Sequence, residues 1–306
     1  MAGKPNTPET TISPPHLAPD IIISLRGVTR SFPTRSGQTV TVLDGVTFDI
    51  HRGECLVIMG GSGCGKSTLL NCLIGELQPN SGQITYKTRD AAAALEITHL
   101  DEQQMNHIRR RFGILFQSGA LLNSLTVEEN VALPLREHTE LDDSIIDIVC
   151  ALKLEQVRML SHRDKTPSQL SGGQKKRAAL ARALALDPEI LYYDEPSAGL
   201  DPVTSATIDE LIIDLTKKLN VTSVVVTHEM DSAFRIADRM VMLDKGRVLR
   251  IGARSDFERI RATPMGDLPS REDKIIHQFL NGAPAGPLTD VEGMSEFEQI
   301  IVSGRD

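Results

Sequence analysis

Short apolar runs recur along the chain and predict β-strands, because each is bounded by glycine or polar residues. Residues 21–25, 40–42 and 46–50 are rich in β-forming residues, and the last run alternates as a half-buried strand does. Two later runs, 240–243 and 247–251, flank Asp244-Lys245-Gly246, and a short turn of this composition between two strands predicts a β-hairpin. The remaining predicted strands cover residues 55–59, 83–86, 113–116, 190–193, 223–227, 240–243 and 247–251.

Helical spacing of apolar residues predicts helices between these strands. From residue 118 to 170 the strand signal is absent, so this stretch is predicted to be a helical insertion. Inside it, Thr126 and Glu129 form a capping box that begins a helix, and Pro134 is expected to end it. Residues 91–111, 174–187, 208–219 and 275–280 are also predicted to be helical. Strands alternating with helices predict an α/β protein with a largely parallel sheet, plus antiparallel strands near the N-terminus.

Composition narrows the class of protein. Of the 306 residues 40% are hydrophobic, enough for a substantial core, while the net charge of −8 argues against nucleic acid as a partner. The four cysteines form no C-x-x-C pair, which suits a reducing compartment. We find no signal peptide and no apolar run near the ~18–20 residues of a membrane span. A cytoplasmic location is therefore expected, with any membrane role depending on another chain.

One nine-residue stretch fits the nucleotide-binding P-loop, G-x-x-x-x-G-K-[ST]. It lies between a predicted strand and a predicted helix, the context that a P-loop requires. Its glycines leave the backbone room to curl around phosphate. Lys66 is expected to reach the β- and γ-phosphates of a nucleoside triphosphate, and the Ser67 hydroxyl to ligate Mg²⁺. The stretch consists of Gly60, Gly61, Ser62, Gly63, Cys64, Gly65, Lys66, Ser67 and Thr68.

Two adjacent carboxylates, Asp194 and Glu195, follow the apolar run 190–193. Mg²⁺ prefers one or two carboxylates together with phosphate and water, so Asp194 is the expected metal-side acid. Glu195 is then the residue that polarises the attacking water. An acidic pair alone is common on surfaces, and the P-loop upstream is what favours the catalytic interpretation.

A second Gly-rich segment, Leu170-Ser171-Gly172-Gly173-Gln174, precedes a predicted helix and forms a second candidate anion site. One active site needs two such cradles only if they meet across an interface. An L-S-G-G-Q segment between a P-loop and a carboxylate pair resembles the ATP-binding-cassette (ABC) ATPases. The resemblance covers residues 21–252. It implies a RecA-like parallel core, an N-terminal antiparallel β subdomain, a helical subdomain at 118–170, and a head-to-tail homodimer in which each ATP lies between one P-loop and the partner's signature.

The resemblance implies roles for four further residues. Phe32 matches the aromatic residue that stacks on adenine, and Gln117 the glutamine that contacts Mg²⁺ and water and couples to a membrane partner. Asp201 matches the loop that communicates across the dimer, and His228 the histidine that senses the γ-phosphate. Taken alone, Phe32 would be a core aromatic and His228 a structural histidine. Cys64 is interpreted as a tolerated small residue, with a redox-sensitive thiol as the alternative.

Two segments of the predicted insertion, at 116–122 and 130–138, resemble the ATPase subunits of Mce-type lipid transporters, which include the Mla (maintenance of lipid asymmetry) phospholipid system. Residues 278–288 resemble the C-terminal extension of that group, which is expected here at 253–306. At the other end of the chain, residues 1–20 are expected to form a disordered tail. This resemblance implies phospholipid transport, an integral membrane permease, an Mce-domain subunit, a STAS-domain regulator, and a peripheral position on the cytoplasmic face of the inner membrane. Two alternatives stay open: the ATPase of a small-solute importer, and a soluble ABC ATPase acting on DNA or ribosomes.

Overall fold

The structure is a computed structural model, and it describes residues 18, 20–34, 37–89, 94–98 and 100–289. The predicted disordered tail at 1–20 lies outside the described residues apart from positions 18 and 20, and so do residues 290–306 of the predicted extension.

A six-stranded sheet forms the centre of the molecule, with strand order β10-β9-β3-β8-β7-β6. All neighbouring strands run parallel except β10, which pairs antiparallel with β9. The central strands β3 and β8 are buried along their whole length, as expected for a parallel sheet covered on both faces. The strands are β3 (Cys55–Gly60), β6 (Phe112–Leu115), β7 (Ile190–Asp194), β8 (Thr222–Val226), β9 (Arg239–Asp244) and β10 (Arg247–Ala253).

A second, antiparallel sheet is built from the N-terminal third of the chain and has the order β2-β1-β4-β5. It packs over one face of the central sheet, where Leu56 and Ile58 join its core. The alternate residues Cys55, Val57 and Met59 enter a second core on the opposite face. Strand β3 therefore links both hydrophobic cores. The four strands are β1 (Ile21–Pro33), β2 (Thr39–His51), β4 (Ser81–Tyr86) and β5 (Leu95–Glu96).

Helices cover the central sheet, and two of them form the predicted insertion. Within the described chain no strand occurs between residues 118 and 170; α3 and α4 occupy this stretch and pack on α5 through apolar residues that include Val131 and Leu135. The helices are α1 (Lys66–Leu73), α2 (Glu102–Arg109), α3 (Val127–His138), α4 (Asp143–Gln156), α5 (Gly172–Ala183), α6 (Pro202–Leu219), α7 (Met230–Ile236), α8 (Arg254–Ala262) and α9 (Arg271–Asn281).

Pro134 does not end its helix, and that expectation was wrong. Helix α3 begins at the predicted capping box, with Thr126 as N-cap, but runs on to His138. Proline lacks the N–H that would bond to the preceding turn. Val131 and Leu135 on either side of it are nevertheless buried in the core, and their packing keeps the next turn helical.

Two other predictions need correction. The stretch 91–111 is not one helix, because β5 occupies Leu95–Glu96 and α2 covers only Glu102–Arg109. Helix α8 was not predicted at all: its sequence is rich in charge, and only Phe257 and Ile260 enter the core. No helix in the described part of the chain combines the length and apolarity that crossing a membrane requires.

Candidate functional site

The P-loop follows β3 directly, and its backbone is shaped by glycines with left-handed or related φ angles. Gly60 has φ +152°, and a Cβ there would overlap Leu243 O and Cys64 Sγ. Gly65, with φ +106°, is the N-cap of α1 and provides no capping side chain. The N–H groups of the first turn of α1 are therefore left for an anion, which the helix dipole also favours.

Lys66 lies within this loop and is half-buried. Its Nζ donates to Gly60 O at 2.7 Å and to Gly61 O at 3.0 Å, which holds the ammonium against the loop backbone. Cys64 is buried, and this burial raises the pKa of its thiol even though the nearby Lys66 charge acts in the opposite direction. A protonated, buried thiol favours the interpretation of Cys64 as a small packing residue.

The turn of the β9–β10 hairpin is hydrogen-bonded to the P-loop. Gly246 N donates to Cys64 O at 3.1 Å, and Gly246 O accepts from Asp44 N of strand β2 at 2.9 Å. A Cβ on Gly246 would overlap Val42 O of the antiparallel sheet, so the turn is closely packed against that sheet and has no room for a side chain here. The phosphate-binding loop is thus held by both sheets.

Asp194 ends β7 and is half-buried. Burial is the main cause that raises the pKa of its carboxyl, and the charge of Glu195 raises it further, while Lys176 and Lys66 lower it. The P-loop and Asp194 follow β3 and β7, strands of the same parallel sheet, and so lie at the same edge of it. A carboxylate, the Ser67 hydroxyl and the Gln117 amide oxygen are hard oxygen donors of the kind that Mg²⁺ prefers.

Glu195 and His228 form the closest pair of candidate catalytic side chains. Glu195 Oε1 lies 2.7 Å from His228 Nδ1, and His228 N donates to Glu195 Oε2 at 3.4 Å. Glu195 has φ +48°, an uncommon value for a residue with a side chain, and its N donates to Val226 O at 2.9 Å. Because Nδ1 is engaged by Glu195, Nε2 is the His228 nitrogen left for a ligand.

The signature segment forms the N-terminus of α5. Ser171 Oγ accepts from Gln174 N at 3.3 Å, and Gln174 Oε1 accepts from Ser171 N at 2.9 Å, a complete capping box. A Cβ on Gly173 would overlap Thr204, and one on Gly172 would lie 3.3 Å from Leu200 Cδ2. The signature therefore packs against the beginning of α6, and no hydrogen bond between described residues joins 171–174 to the P-loop.

Asp201 is exposed and is the N-cap of α6, where it accepts from Val203 N and Thr204 N, both at 3.0 Å. The Thr204 hydroxyl also donates to this carboxylate, and these hydrogen bonds hold the pKa of Asp201 below its usual value. Asp201 and the signature glycines consequently share Thr204 as a neighbour.

Gln117 is exposed and follows β6; just beyond it, Arg182 donates to Gly119 O at 3.1 Å and Ala120 O at 2.7 Å. Phe32 is half-buried in β1 opposite Val40, and the Arg30 guanidinium lies 4.8 Å from its ring centroid.

The parallel sheet brings four predicted positions to one edge. Gly60, Gln117, Asp194 and His228 lie at or just beyond the carboxyl ends of β3, β6, β7 and β8, the edge at which α/β proteins bind ligands.

Two buried charges near this edge were missed by the sequence analysis. Lys176 on α5 donates to Glu195 O at 3.1 Å. Asp209 on α6 is fully buried, and it accepts from Ser232 Oγ and Arg235 Nη1, both at 2.5 Å. The available signal was their position on the apolar face of a helix: Asp209 shares that face with Ile212, and Lys176 with Leu180.

The P-loop, the carboxylate pair and the separate signature together define a P-loop nucleotide-binding cassette. The family profile described as "ABC transporter" matches residues 43–198. The chain belongs to the ABC transporter family, and it is an ATP-binding and ATP-hydrolysing subunit of that family.

Two groups of named relatives match at similar identity. The "Intermembrane phospholipid transport system ATP-binding protein MlaF" of Haemophilus influenzae is 37% identical over 247 residues, 81% of this chain and 87% of the relative. The "Probable ribonucleotide transport ATP-binding protein mkl" of Mycobacterium leprae is 38% identical over 276 residues, 90% of this chain and 72% of the relative. A dimeric ATP-binding cassette solved in a post-hydrolysis state with ADP and Pi has a TM-score of 0.68 and 32% identity, covering 76% of this chain and 98% of the other.

Proposed function

We propose that this chain energises a phospholipid transporter, in which it works as a homodimer on an integral membrane permease. An Mce-domain subunit and a STAS-domain regulator complete the proposed assembly, which places the chain at the cytoplasmic face of the inner membrane. We also propose the division of the chain into a tail at 1–20, the cassette at 21–252 with its helical subdomain at 118–170, and an extension at 253–306. The observation that carries the transport proposal is the match to MlaF over most of both chains.

A surface groove supports the proposed contact with a permease. Its walls come from α2, β6, α3 and α5, and both Mce-like segments of the sequence contribute, one through Phe116 and the other through Pro134 and His138. Phe112, Ile114 and Leu186 add apolar surface, and the rim is basic. A permease segment with apolar and acidic side chains fits this chemistry. The basic lining residues are Arg109, Arg110, His138 and Arg182.

The residues at the sheet edge fit Mg-ATP. The P-loop amides and Lys66 would bind the phosphates, Phe32 the adenine, and the oxygens of Ser67, Asp194 and Gln117 would hold Mg²⁺. When bound, Mg²⁺ would neutralise phosphate charge. The fit rests on the N-terminus of α1, which no side chain caps, and on the chemistry of the three oxygen donors.

We propose that Glu195 orients the attacking water and accepts its proton, since a carboxylate within a positioned hydrogen-bond network suits a general base. His228, held through Nδ1 by Glu195, would contact the γ-phosphate through Nε2. The remaining charge stabilisation would come from a second copy, through Ser171, Gly172, Gly173 and Gln174 at the N-terminus of α5. Asp201, which shares Thr204 with the signature, would carry the contact between copies.

A solute transporter is the second candidate, and the mkl relatives favour it because their name assigns them ribonucleotide transport. These relatives match a longer part of this chain than MlaF does, at nearly equal identity. The cargo of the transporter therefore decides between the two candidates.

The decisive experiment is purification of the tagged full-length chain from its own cells in mild detergent, with mass spectrometry of proteins and lipids. We expect a permease, an Mce-domain protein and bound phospholipid. Phe116→Asp should lose the permease because Phe116 is 41% exposed in the groove. Ile148→Asp is the matched control: Ile148 is 58% exposed on α4, outside the groove, and this variant should retain the permease. A permease accompanied by a solute-binding protein and no lipid would replace the phospholipid proposal with the solute candidate.

A further inference from the structure

Lys176 is a buried lysine that no part of the proposed hydrolysis uses. It is 5% exposed and lies on the inner face of α5, on the same side as Gly173 of the signature. Its Nζ donates to the backbone oxygen of Glu195 at 3.1 Å. A single side chain thus connects the signature helix to the candidate general base of the same chain.

The surroundings of Lys176 are acidic. Burial lowers the pKa of its ammonium, while the charges of Asp194, Glu195 and Glu229 favour the protonated form. Lysines are rarely buried unless they are paired. Lys176 is therefore held near the carboxylate pair by their charges as well as by its hydrogen bond to the Glu195 backbone oxygen.

The backbone that Lys176 holds has an uncommon conformation. Glu195 has φ +48°, a value that costs energy for a residue with a Cβ and that persists only when its surroundings impose it. Three hydrogen bonds hold this backbone: Glu195 N donates to Val226 O, and Glu195 O accepts from Lys176 Nζ at 3.1 Å and from Ala198 N at 3.2 Å. This backbone geometry directs the Glu195 side chain to His228.

We propose that Lys176 is a positioning residue that transmits the state of the signature helix to the Glu195 carboxylate. The inference rests on the proposed role of Glu195 and on the proposed dimer. In that dimer the signature of one chain binds the ATP held by its partner's P-loop, whereas Glu195 acts on the ATP held by its own P-loop. Lys176 then joins the two ATP sites, and nucleotide bound at one site sets the geometry of catalysis at the other.

The test compares Lys176→Met with Lys175→Met in the full-length protein. Both variants remove one lysine from α5, but Lys175 is the half-buried neighbour, and among the described residues the hydrogen bond to Glu195 comes from Lys176 and not from Lys175. We expect Lys176→Met to lower kcat about 100-fold, the loss that a small misplacement of a catalytic group causes. KM and the affinity for ATP should stay unchanged, and the Hill coefficient for ATP should fall to about 1. Lys176→Arg should restore part of kcat because it keeps the charge and the donor.

A double-mutant cycle with Glu195→Gln separates positioning from general destabilisation. If Lys176 acts through Glu195, Lys176→Met/Glu195→Gln hydrolyses ATP no more slowly than Glu195→Gln alone. Equal kcat in Lys176→Met and Lys175→Met would overturn the inference, and so would independent, multiplying losses in the cycle. If Glu195→Gln itself keeps wild-type turnover, the proposed role of Glu195 fails instead, whatever Lys176 does.

Discussion

His228 Nδ1 and Glu195 Oε1 are 2.7 Å apart although 33 residues separate them in the chain. They meet because β7 and β8 are adjacent parallel strands whose register pairs Asp194 with Val226. Each strand ends within two residues of its candidate catalytic side chain. The pair is therefore set by the register of the sheet, and a side-chain change at either position should leave the fold intact.

Glu195→Gln should reduce ATP turnover at least about 100-fold, because the amide cannot accept the proton that a general base takes. ATP binding should persist, since Lys66 and the P-loop are untouched, and ATP should therefore hold the protein as a dimer. Steady-state hydrolysis, ATP affinity and size-exclusion chromatography with and without ATP measure the three effects. Undiminished turnover would assign the base to another residue.

Gly60→Ala should destabilise the fold, because a Cβ at Gly60 would overlap Leu243 O and Cys64 Sγ and because its φ is +152°. The expected cost is about 3 kcal/mol, in the range of overpacking combined with backbone strain. Gly61→Ala is the control, since a Cβ there meets nothing within 4 Å. Its free energy of unfolding should change by less than about 1 kcal/mol. Urea unfolding of both variants checks the difference, and equal stabilities would contradict the tight contact.

Arg235→Met should be more harmful than its partly exposed position suggests. It would leave the fully buried Asp209 carboxylate with hydroxyl donors alone, at a cost of about 3 kcal/mol. Adding Asp209→Asn should recover part of that loss, because the amide carries no charge but still accepts from Ser232. Urea denaturation of both variants measures this. A double variant less stable than Arg235→Met would mean that the charge of Asp209 is not the cause.

The four cysteines should resist alkylation in the native protein. All four are buried, and burial raises the pKa of Cys72 and of Cys150 to about 11 each. At pH 7.5 the thiolate is scarce, so iodoacetamide should react about 100-fold more slowly than with the urea-unfolded chain. Mass spectrometry of the labelled protein at several times gives the rate for each residue. Rapid native labelling of Cys64 would instead show that the P-loop opens.

Local sequence was enough to predict the parts of the site that depend on backbone shape. The P-loop glycines, the capping box at Thr126 and the carboxylates after β7 all depend on neighbours within a few residues. The α/β alternation likewise predicted the parallel sheet. The roles given to individual site residues stay predictions.

Tertiary packing decided what the sequence could not. Pro134 remains helical because Leu135 and Val131 are buried, and α8 is helical although only Phe257 and Ile260 hold it to the core. Lys176 and Asp209 have charged side chains, which on a helix normally face solvent. Their burial depends on partners, Glu195 and Arg235, that lie far away in the chain.

The turn at Asp244-Lys245-Gly246 has a consequence for engineering this cassette. Surface hairpin turns are ordinarily the places where a chain tolerates an insertion, a new pair of termini or a fused reporter. Here the turn touches Cys64 of the P-loop on one side and Asp44 of the antiparallel sheet on the other. A split or circularly permuted version with its termini at this hairpin should keep its secondary structure but lose affinity for nucleotide. Reconnecting the chain at that point only when a chosen ligand binds would make the ATPase activity depend on that ligand.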